Sequence, residues 1–590
     1  MCGLIGYIGH EPAAPVIFGA LARLEYRGYD SAGIATVCDN RIYLGKDKGK
    51  LEDVMRQFKP LAFPGQVGLG HVRWATHGAA TQINAHPHVD QLGQIAVVHN
   101  GIIDNYAKIK ASLASKYKFV SETDTEVIPH LIRYHMESGL SFEKAFFKTT
   151  EELTGSYAIL AVYSLEPDKI LAARKESPLV IGLGENANYI GSDILSFLPY
   201  TRKYVTINDG EKVILTSKEV KFYNHERRNY TKDPETANWD WKEGHRGNYD
   251  YFMLKEIDEQ PQVIRQALMQ DDELIRQIAT EIKQARQIIF VACGTSRHAA
   301  LIGRYTFSKI GRIFSDVIMG SEFGYFADSI DHNTVVIAIS QSGETADIMD
   351  GVRQAKANGA KVFSLVNVVG SSLARASDRV LYLNCGPEIG VAATKSFTAQ
   401  LCLLYQLAYA MDNRLEEGQA KLQEISYNVT SDLEYYAECL PTLAHKLAGK
   451  KDFYYLARGV NFAVASEGAL KLKEISYTHA EGMPSGELKH GTLALIEPGT
   501  PVVAICPTDY TYEDSLANIM EVKARGGYVI GVSDAYSKIF DAYIKIPKVE
   551  EIMYPLVTTI PLQVFAYYSA LTRGLDPDKP RNLAKSVTVK

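Results

Sequence analysis

The feature that most constrains this chain is a phrase it uses twice. Apolar Ile288–Ala292 runs into Cys293-Gly294-Thr295-Ser296, and Val335–Ile339 runs into Ser340-Gln341-Ser342-Gly343-Glu344-Thr345. About 165 residues later the order returns: Tyr454–Ala457 precedes Arg458-Gly459, and Val502–Ile505 precedes Cys506-Pro507-Thr508. Each half then carries a helix ending in a similar phrase, Ala357-Asn358-Gly359-Ala360-Lys361-Val362 and Ala524-Arg525-Gly526-Gly527-Tyr528-Val529. Self-similarity at a fixed spacing marks a duplicated domain. Strand, Gly-containing loop and helix in alternation predict parallel α/β sheets. Two such domains are expected, over 282–420 and 450–575, followed by an irregular polar tail over 576–590.

The first part of the chain has another rhythm. Strand candidates are Leu4–Ile8, Gly33–Val37, Gly68–Val72, Ile95–Val98, Tyr157–Val162 and Val213–Leu215. Helical periodicity appears only in Val16–Glu25, Asp124–Met136 and Ser141–Leu153. Strands and helices do not alternate regularly, so a layered α+β sandwich is expected over 2–217. The polar stretch 218–247 is short of aliphatics and reads as a linker, with Trp239 and Trp241 docking it onto a domain.

Composition narrows the partners. Lys plus Arg is 63 against 69 for Asp plus Glu, a net charge of -6, which argues against nucleic acid. No apolar run reaches the ~20 residues of a membrane span, and no signal peptide is apparent. The 7 Cys are scattered, odd in number and without CxxC pairs, as expected of a protein in a reducing cytoplasm.

Cys2 directly follows the initiator Met. Removal of Met1 would unite a thiol nucleophile and an α-amine in one residue, so that the amine takes the thiol proton and no catalytic His is required. Around it stand Cys2-Gly3-Leu4-Ile5-Gly6, Arg27-Gly28-Tyr29-Asp30-Ser31-Ala32-Gly33, His71-Val72-Arg73-Trp74-Ala75-Thr76-His77-Gly78, His99-Asn100-Gly101 and Thr123-Asp124-Thr125-Glu126. In this order they resemble the N-terminal-nucleophile glutamine amidotransferases. The resemblance implies that Cys2 attacks the glutamine amide and that Asn100 with the Gly101 N–H forms the oxyanion hole. It implies that Arg73, Thr76 and His77 hold the glutamine carboxylate and Asp124 its ammonium. His71, His77, His86 and His88 lack metal-ligand spacing, so no metal is expected.

Ser340-Gln341-Ser342-Gly343-Glu344-Thr345 lies between a buried strand and a helix starting near Ala346. Hydroxyls and free N–H groups there suit a phosphate dianion, and without a Walker lysine a nucleoside triphosphate is disfavoured. The second copy reads Cys506-Pro507-Thr508-Asp509-Tyr510, with an acid and no Ser cluster, so one phosphate site per chain is expected. With Cys293-Gly294-Thr295-Ser296, the loop is similar to that of a sugar isomerase (SIS) domain. The chain as a whole resembles the glutamine–fructose-6-phosphate aminotransferase (isomerising) family. That likeness implies an N-terminal-nucleophile glutaminase sandwich followed by two SIS domains.

Glu467, Lys471 and Glu474 sit at i, i+4 and i+7 and share a helix face among Ala469, Leu470 and Leu472. A charged face in an apolar helix needs a purpose. By the resemblance, Glu474 moves a proton between sugar C1 and C2, with Lys471 nearby and Glu467 supporting. His490, in Ser485-Gly486-Glu487-Leu488-Lys489-His490-Gly491, would open the sugar ring of a neighbouring subunit, which implies a homodimer. Lys585, after Ala584 in the tail, would form an imine with the open-chain ketone. Thr295, Ser296, Ser340, Gln341, Ser342, Thr345, Val391, Glu467, Lys471 and Ala584 would contact the sugar phosphate. Trp74 would gate an ammonia passage. Ala393 stands where the family usually has Ser, at an expected loss of about 0.5–1.5 kcal/mol of binding.

The substrates implied are L-glutamine and fructose 6-phosphate, with no cofactor: neither NAD nor pyridoxal phosphate is indicated. Amidophosphoribosyltransferases and asparagine synthetases are disfavoured, because their diphosphoribose and pyrophosphate loops are missing. A non-catalytic phosphosugar sensor would not need Cys2, Glu474, His490 and Lys585 together.

Overall fold

The structure is a computed structural model and describes residues 2–58, 63–75, 77–237 and 246–588. Met1, Thr76, Trp239 and Trp241, to which roles were assigned above, lie outside the described residues. The chain divides into two compact units, Met1–His245 with Ser586–Lys590, and Arg246–Lys585.

In the first unit two antiparallel sheets of eight and seven strands lie face to face. Gly3–Gly9 pairs with Val67–Arg73 on one side and Ala187–Gly191 on the other, so Cys2 enters a central strand of the first sheet. Ile95–Ile103 pairs with Gly155–Tyr163 in the second sheet. Leu4, Leu69, Val98 and Leu160 alternate inward between the sheets and form their shared core. The other faces are covered by Ala13–Leu24 on one sheet, and by Val127–Glu137 and Phe142–Glu152 on the other. The result is a four-layer α+β sandwich.

Two details differ from the sequence reading. Residues 220–236 are not a linker. Val220–Tyr223 and Asn229–Tyr230 extend one sheet, and Glu235–Thr236 pairs with Lys203–Thr206 at the edge of the other. They read as linker because edge strands meet water and carry polar residues. The helix expected from Asp124 begins at Val127. The Asp124 carboxylate accepts the Ile103 N–H instead, and Glu126 accepts the N–H groups of Val120 and Ser121.

In the second unit the duplication is plain. Two five-stranded, all-parallel sheets have the same strand order. The first runs Asp316–Met319, Gln287–Ala292, Thr334–Ser340, Lys361–Val366, Arg379–Tyr382. The second runs His479–Pro484, Asp452–Ala457, Pro501–Ile505, Tyr528–Ser533, Ala542–Lys545. Helices Lys395–Met411, Asn461–Ser476 and Tyr554–Thr572 join one core that spans both sheets. Every residue of Lys395–Met411 is buried, as expected of a helix apolar on nearly all sides. Three helices between 252 and 284 precede the first sheet where the sequence reading placed no element: Phe252–Asp258, Gln260–Ala267 and Asp272–Gln284. Among the described residues no helix is long and apolar enough to cross a membrane.

Candidate functional site

The first unit gathers its chemistry around Cys2. The Trp74 N–H points to the Cys2 sulfur at 3.3 Å, and the thiol faces the Trp74 carbonyl at 3.5 Å. Burial pushes the Cys2 thiol pKa up, against the pull of the Trp74 N–H and the Arg73 cation. The Asn100 side-chain amide donates to the Cys2 carbonyl at 3.1 Å, which sets that amide beside Cys2. Gly101 follows with φ +120, and a Cβ there would lie 2.0 Å from the Ser156 carbonyl oxygen, so only glycine fits.

Sequence reasoning missed what aims Asn100. His71 Nε2 lies 3.0 Å from Asn100 Oδ1 and 3.1 Å from the His99 carbonyl. Both are acceptors, so Nε2 carries the proton. That bond fixes which end of the amide is oxygen and turns its NH2 toward Cys2. Burial holds His71 neutral, with its pKa lowered to about 3. His71 also stacks on His86, ring centroids 4.1 Å apart, and His86 meets His88 edge-on. Thr125 Oγ1 lies 2.9 Å from both His86 Nε2 and His99 Nδ1. Among the described residues no group of His, Cys, Asp and Glu is arranged to hold a metal ion.

The stack has a consequence for stability. Burial lowers the pKa of His71, His86, His88 and His99, so the folded chain keeps them neutral where the unfolded chain, with pKa about 6.5, takes protons. Their contribution is present above about pH 6.5 and is lost as pH falls below it. Thermal unfolding of the full chain between pH 7.5 and 5 should show a transition moving steadily down. A profile flat over that range would contradict the neutral stack.

Arg73 donates to the backbone carbonyls of His77 and Gly78, at 2.5 and 3.0 Å, and to that of Ala79 at 3.3 Å. It therefore organises the loop after Trp74. Asp30 holds the other side, accepting the Ala75 N–H and donating its own N–H to the Arg73 carbonyl. Burial lowers the Arg73 pKa, and the nearby Cys2 and Asp124 oppose that shift only in part. The Arg73 cation and the Asp30 carboxylate both act on the Cys2 thiol. His77 packs edge-on against Tyr106.

In the second unit the charged helix face gathers further partners. Lys471 Nζ lies 2.7 Å from Glu474 and 3.3 Å from Glu467 on its own helix, Asn461–Ser476. It also donates to Thr295 Oγ1 at 2.9 Å. Burial works against the ammonium, but the two carboxylates outweigh it and raise the Lys471 pKa. Glu467, fully buried, faces His298 Nδ1 at 2.7 Å, a partner sequence reasoning did not single out. Thr295 and His298 come from the first sheet's helix, Gly294–Lys309, so the two copies meet at this cluster. Ser296 Oγ accepts from Gln400 at 3.0 Å.

The phosphate-loop candidate closes on itself through hydroxyls. Ser340 Oγ accepts the Gly343 N–H and lies 3.1 Å from Thr345 Oγ1, while Ser342 Oγ accepts the Glu344 N–H. Gln341 and Ser342 are half-buried at its mouth, and Thr345 precedes the helix Ala346–Ala357. Gly343 has φ +66, and a Cβ there would lie 2.2 Å from Ser371 Oγ. In the second copy Asp509 takes the Thr511 N–H and hydroxyl and the Asn461 amide. A resident carboxylate there opposes an incoming dianion, whereas neutral hydroxyls welcome one.

The tail returns to the loop after the first sheet. Lys585 Nζ reaches Glu388 at 2.5 Å and donates to the Gly390 carbonyl at 2.7 Å. Burial disfavours the Glu388 carboxylate, but Lys585 and the N–H groups of Ser396 and Thr394 hold its pKa at about 2. Val391 donates its N–H to the Asp578 carbonyl. Ala584 is half-buried beside Lys585, and Ala393 is half-buried in the same loop region. His490 is exposed in an open cavity of about 440 Å³ with Lys489 and Arg525. Among the described residues no hydrogen bond joins it to Lys471 or Glu474.

Comparison with known proteins supports both halves. The SIS domain family matches residues 281–410 and 446–573, and the glutamine amidotransferase domain family matches 71–199. Two curated relatives align over the whole of both chains, at 47% identity in Thermococcus kodakarensis and 46% in Methanothermobacter thermautotrophicus. Both are named glutamine–fructose-6-phosphate aminotransferase (isomerizing). This chain belongs to that family.

As a member of the glutamine–fructose-6-phosphate aminotransferase family, the chain is an enzyme with an amidotransferase domain and two SIS domains. A solved relative covers the second of these parts. The C-terminal domain of glucosamine-fructose-6-phosphate aminotransferase from Francisella tularensis is 34% identical, with a TM-score of 0.54. It spans 57% of this chain and 99% of its own.

Proposed function

We propose that the chain converts L-glutamine and fructose 6-phosphate to L-glutamate and glucosamine 6-phosphate, the entry to amino sugar synthesis. The observation that carries this is the pairing of chemistries in one chain. Cys2 beside the Asn100 amide suits amide hydrolysis, and a buried Lys585 with the Glu467–Lys471–Glu474 face suits ketose chemistry.

Glutamine is bound with Arg73, Thr76 and His77 at its carboxylate and Asp124 at its ammonium. Cys2 attacks the side-chain amide, Asn100 and the Gly101 N–H stabilise the oxyanion, and ammonia leaves. Water then releases glutamate from the thioester. Ammonia passes internally, gated by Trp74, to a sugar whose phosphate rests on Ser340, Gln341, Ser342 and Thr345, with Thr295 and Ser296 nearby. Lys585 condenses with the open-chain ketone to an imine, the ketone oxygen leaving as water; ammonia then displaces the lysine amine at C2. Glu474 then carries the proton between C1 and C2, its charge held by Lys471. The amine and ketone supply the chemistry, so no cofactor is needed.

His490 opens the sugar ring of a neighbouring subunit in this reading, and the enzyme works as a homodimer. Its exposure, apart from the Lys471–Glu474 pair of its own chain, supports that reading. A cytoplasmic setting is supported by free thiols at all seven cysteines.

The test is product formation by purified full-length protein given glutamine and fructose 6-phosphate. Glutamate and glucosamine 6-phosphate are expected in equal amounts. Glutamate alone, from protein with a free N-terminal Cys2, would overturn the acceptor. Amino sugar formed only with added ammonium would overturn the Cys2 assignment.

A further inference from the structure

The helix Phe252–Asp258 precedes the part of the chain that the SIS family matches, yet it sends a carboxylate to the Lys585 site. Glu256 is 1% exposed. Its Oε1 accepts two adjacent backbone N–H groups, of Ile389 at 2.5 Å and of Gly390 at 3.1 Å. Its Oε2 is buried without a hydrogen-bond partner. Lys585 grips the other end of the same segment through the Gly390 carbonyl and Glu388. The loop Glu388–Val391 is therefore held between two clamps.

The tail is tied to the same helix. Asp578 accepts the Phe252 and Met253 N–H groups, at 2.7 and 2.8 Å, and takes the Val391 N–H on its carbonyl. Helix, loop and tail form one unit, and Lys585 sits seven residues after Asp578. From these contacts we infer that Glu256 is a positioning residue for Lys585. It acts through the Glu388–Gly390 loop and is protonated when the enzyme works. This rests on the reading of Lys585 as the imine-forming lysine.

Charge explains the protonated state. Facing one another here are Glu256, Glu388, Lys585, Lys395 and the Cys385 thiol, with Glu259 paired to Lys395 and Lys255 to Glu259. Burial and the neighbouring Glu388 carboxylate raise the Glu256 pKa to about 8. A second ionised carboxylate beside Glu388 would add a further buried negative charge to this cluster. To react, the Lys585 ammonium must give up one proton; its nitrogen then bonds sugar C2 while the ketone oxygen leaves as water. A neutral Glu256 holds the loop without opposing that loss.

The experiment traps the imine in full-length protein with fructose 6-phosphate and cyanoborohydride, read as a mass shift on Lys585. Glu256→Ala should slow trapping and amino sugar turnover by at least about tenfold, since misplacement near 1 Å costs that much or more. Glutamine hydrolysis should be unchanged. Glu256→Gln, which keeps an acceptor oxygen and no charge, should restore most of the rate. It should also remove the fall in wild-type trapping as Glu256 ionises above about pH 8. Trapping as fast in Glu256→Ala as in wild type would overturn the inference alone. So would slow trapping by a folded Glu256→Gln variant, the deciding case if Glu256→Ala does not fold. No adduct on wild-type Lys585 would instead overturn the imine reading and this inference with it.

Discussion

Lys585→Arg is expected to lower amino sugar synthesis by several orders of magnitude while fructose 6-phosphate still binds. Arginine keeps a cation for the buried Glu388, so the ion pair that closes the tail survives. It has no amine able to form an imine, and removing a covalent catalyst costs far more than removing a binding contact. Lys585→Ala is a poorer test, because it would strand a buried carboxylate at a cost of about 3–5 kcal/mol. The checks are turnover and sugar protection against thermal unfolding, measured on one preparation. Turnover within tenfold of wild type would remove Lys585 from the mechanism. Lost protection with lost turnover would make it a binding residue instead.

Cys2→Ala is expected to abolish glutamine hydrolysis, again by several orders of magnitude, and glutamine-dependent synthesis with it. Added ammonium should restore amino sugar formation, because the residues proposed for the sugar chemistry lie in the second unit. The Asn100 amide donates to the backbone carbonyl of residue 2, not to its sulfur, so the amide proposed as the oxyanion donor keeps that bond without the thiol. Residual hydrolysis near the wild-type rate would show that another nucleophile serves glutamine. The two variants separate the half-reactions: Lys585→Arg should still hydrolyse glutamine, and Cys2→Ala should still aminate sugar.

The two copies of the fold differ at the loop proposed to hold the phosphate. Both sheets share strand order, and both present a loop before the helix that follows the third strand in the chain's β-strand pattern. The difference lies in one residue type. Serine hydroxyls can rotate to meet a dianion, whereas the Asp509 carboxylate already satisfies the N–H groups around it.

Much of this enzyme was legible in its residues because the signals are local. The Glu467, Lys471 and Glu474 face follows from helical period, the duplicated sheets from repeated strand–loop–helix phrases, and the Cys2 site from motifs of adjacent residues. None of these needs knowledge of distant contacts. The short strands of 220–236 were hidden because an edge strand pairs on one side only and keeps polar residues toward water.

What the tertiary structure alone decided are the pairings between residues far apart in the chain. His71 aims Asn100 from a strand of the facing sheet, His298 meets Glu467 across 169 positions, and Lys585 meets Glu388 across 197. Glu256 reaches Ile389 across 133 positions from a helix that carried no motif. Side-chain type and spacing state what a residue can do. Whether a buried carboxylate is paired with a lysine, capped by N–H groups or kept protonated depends on which charges the fold brings beside it.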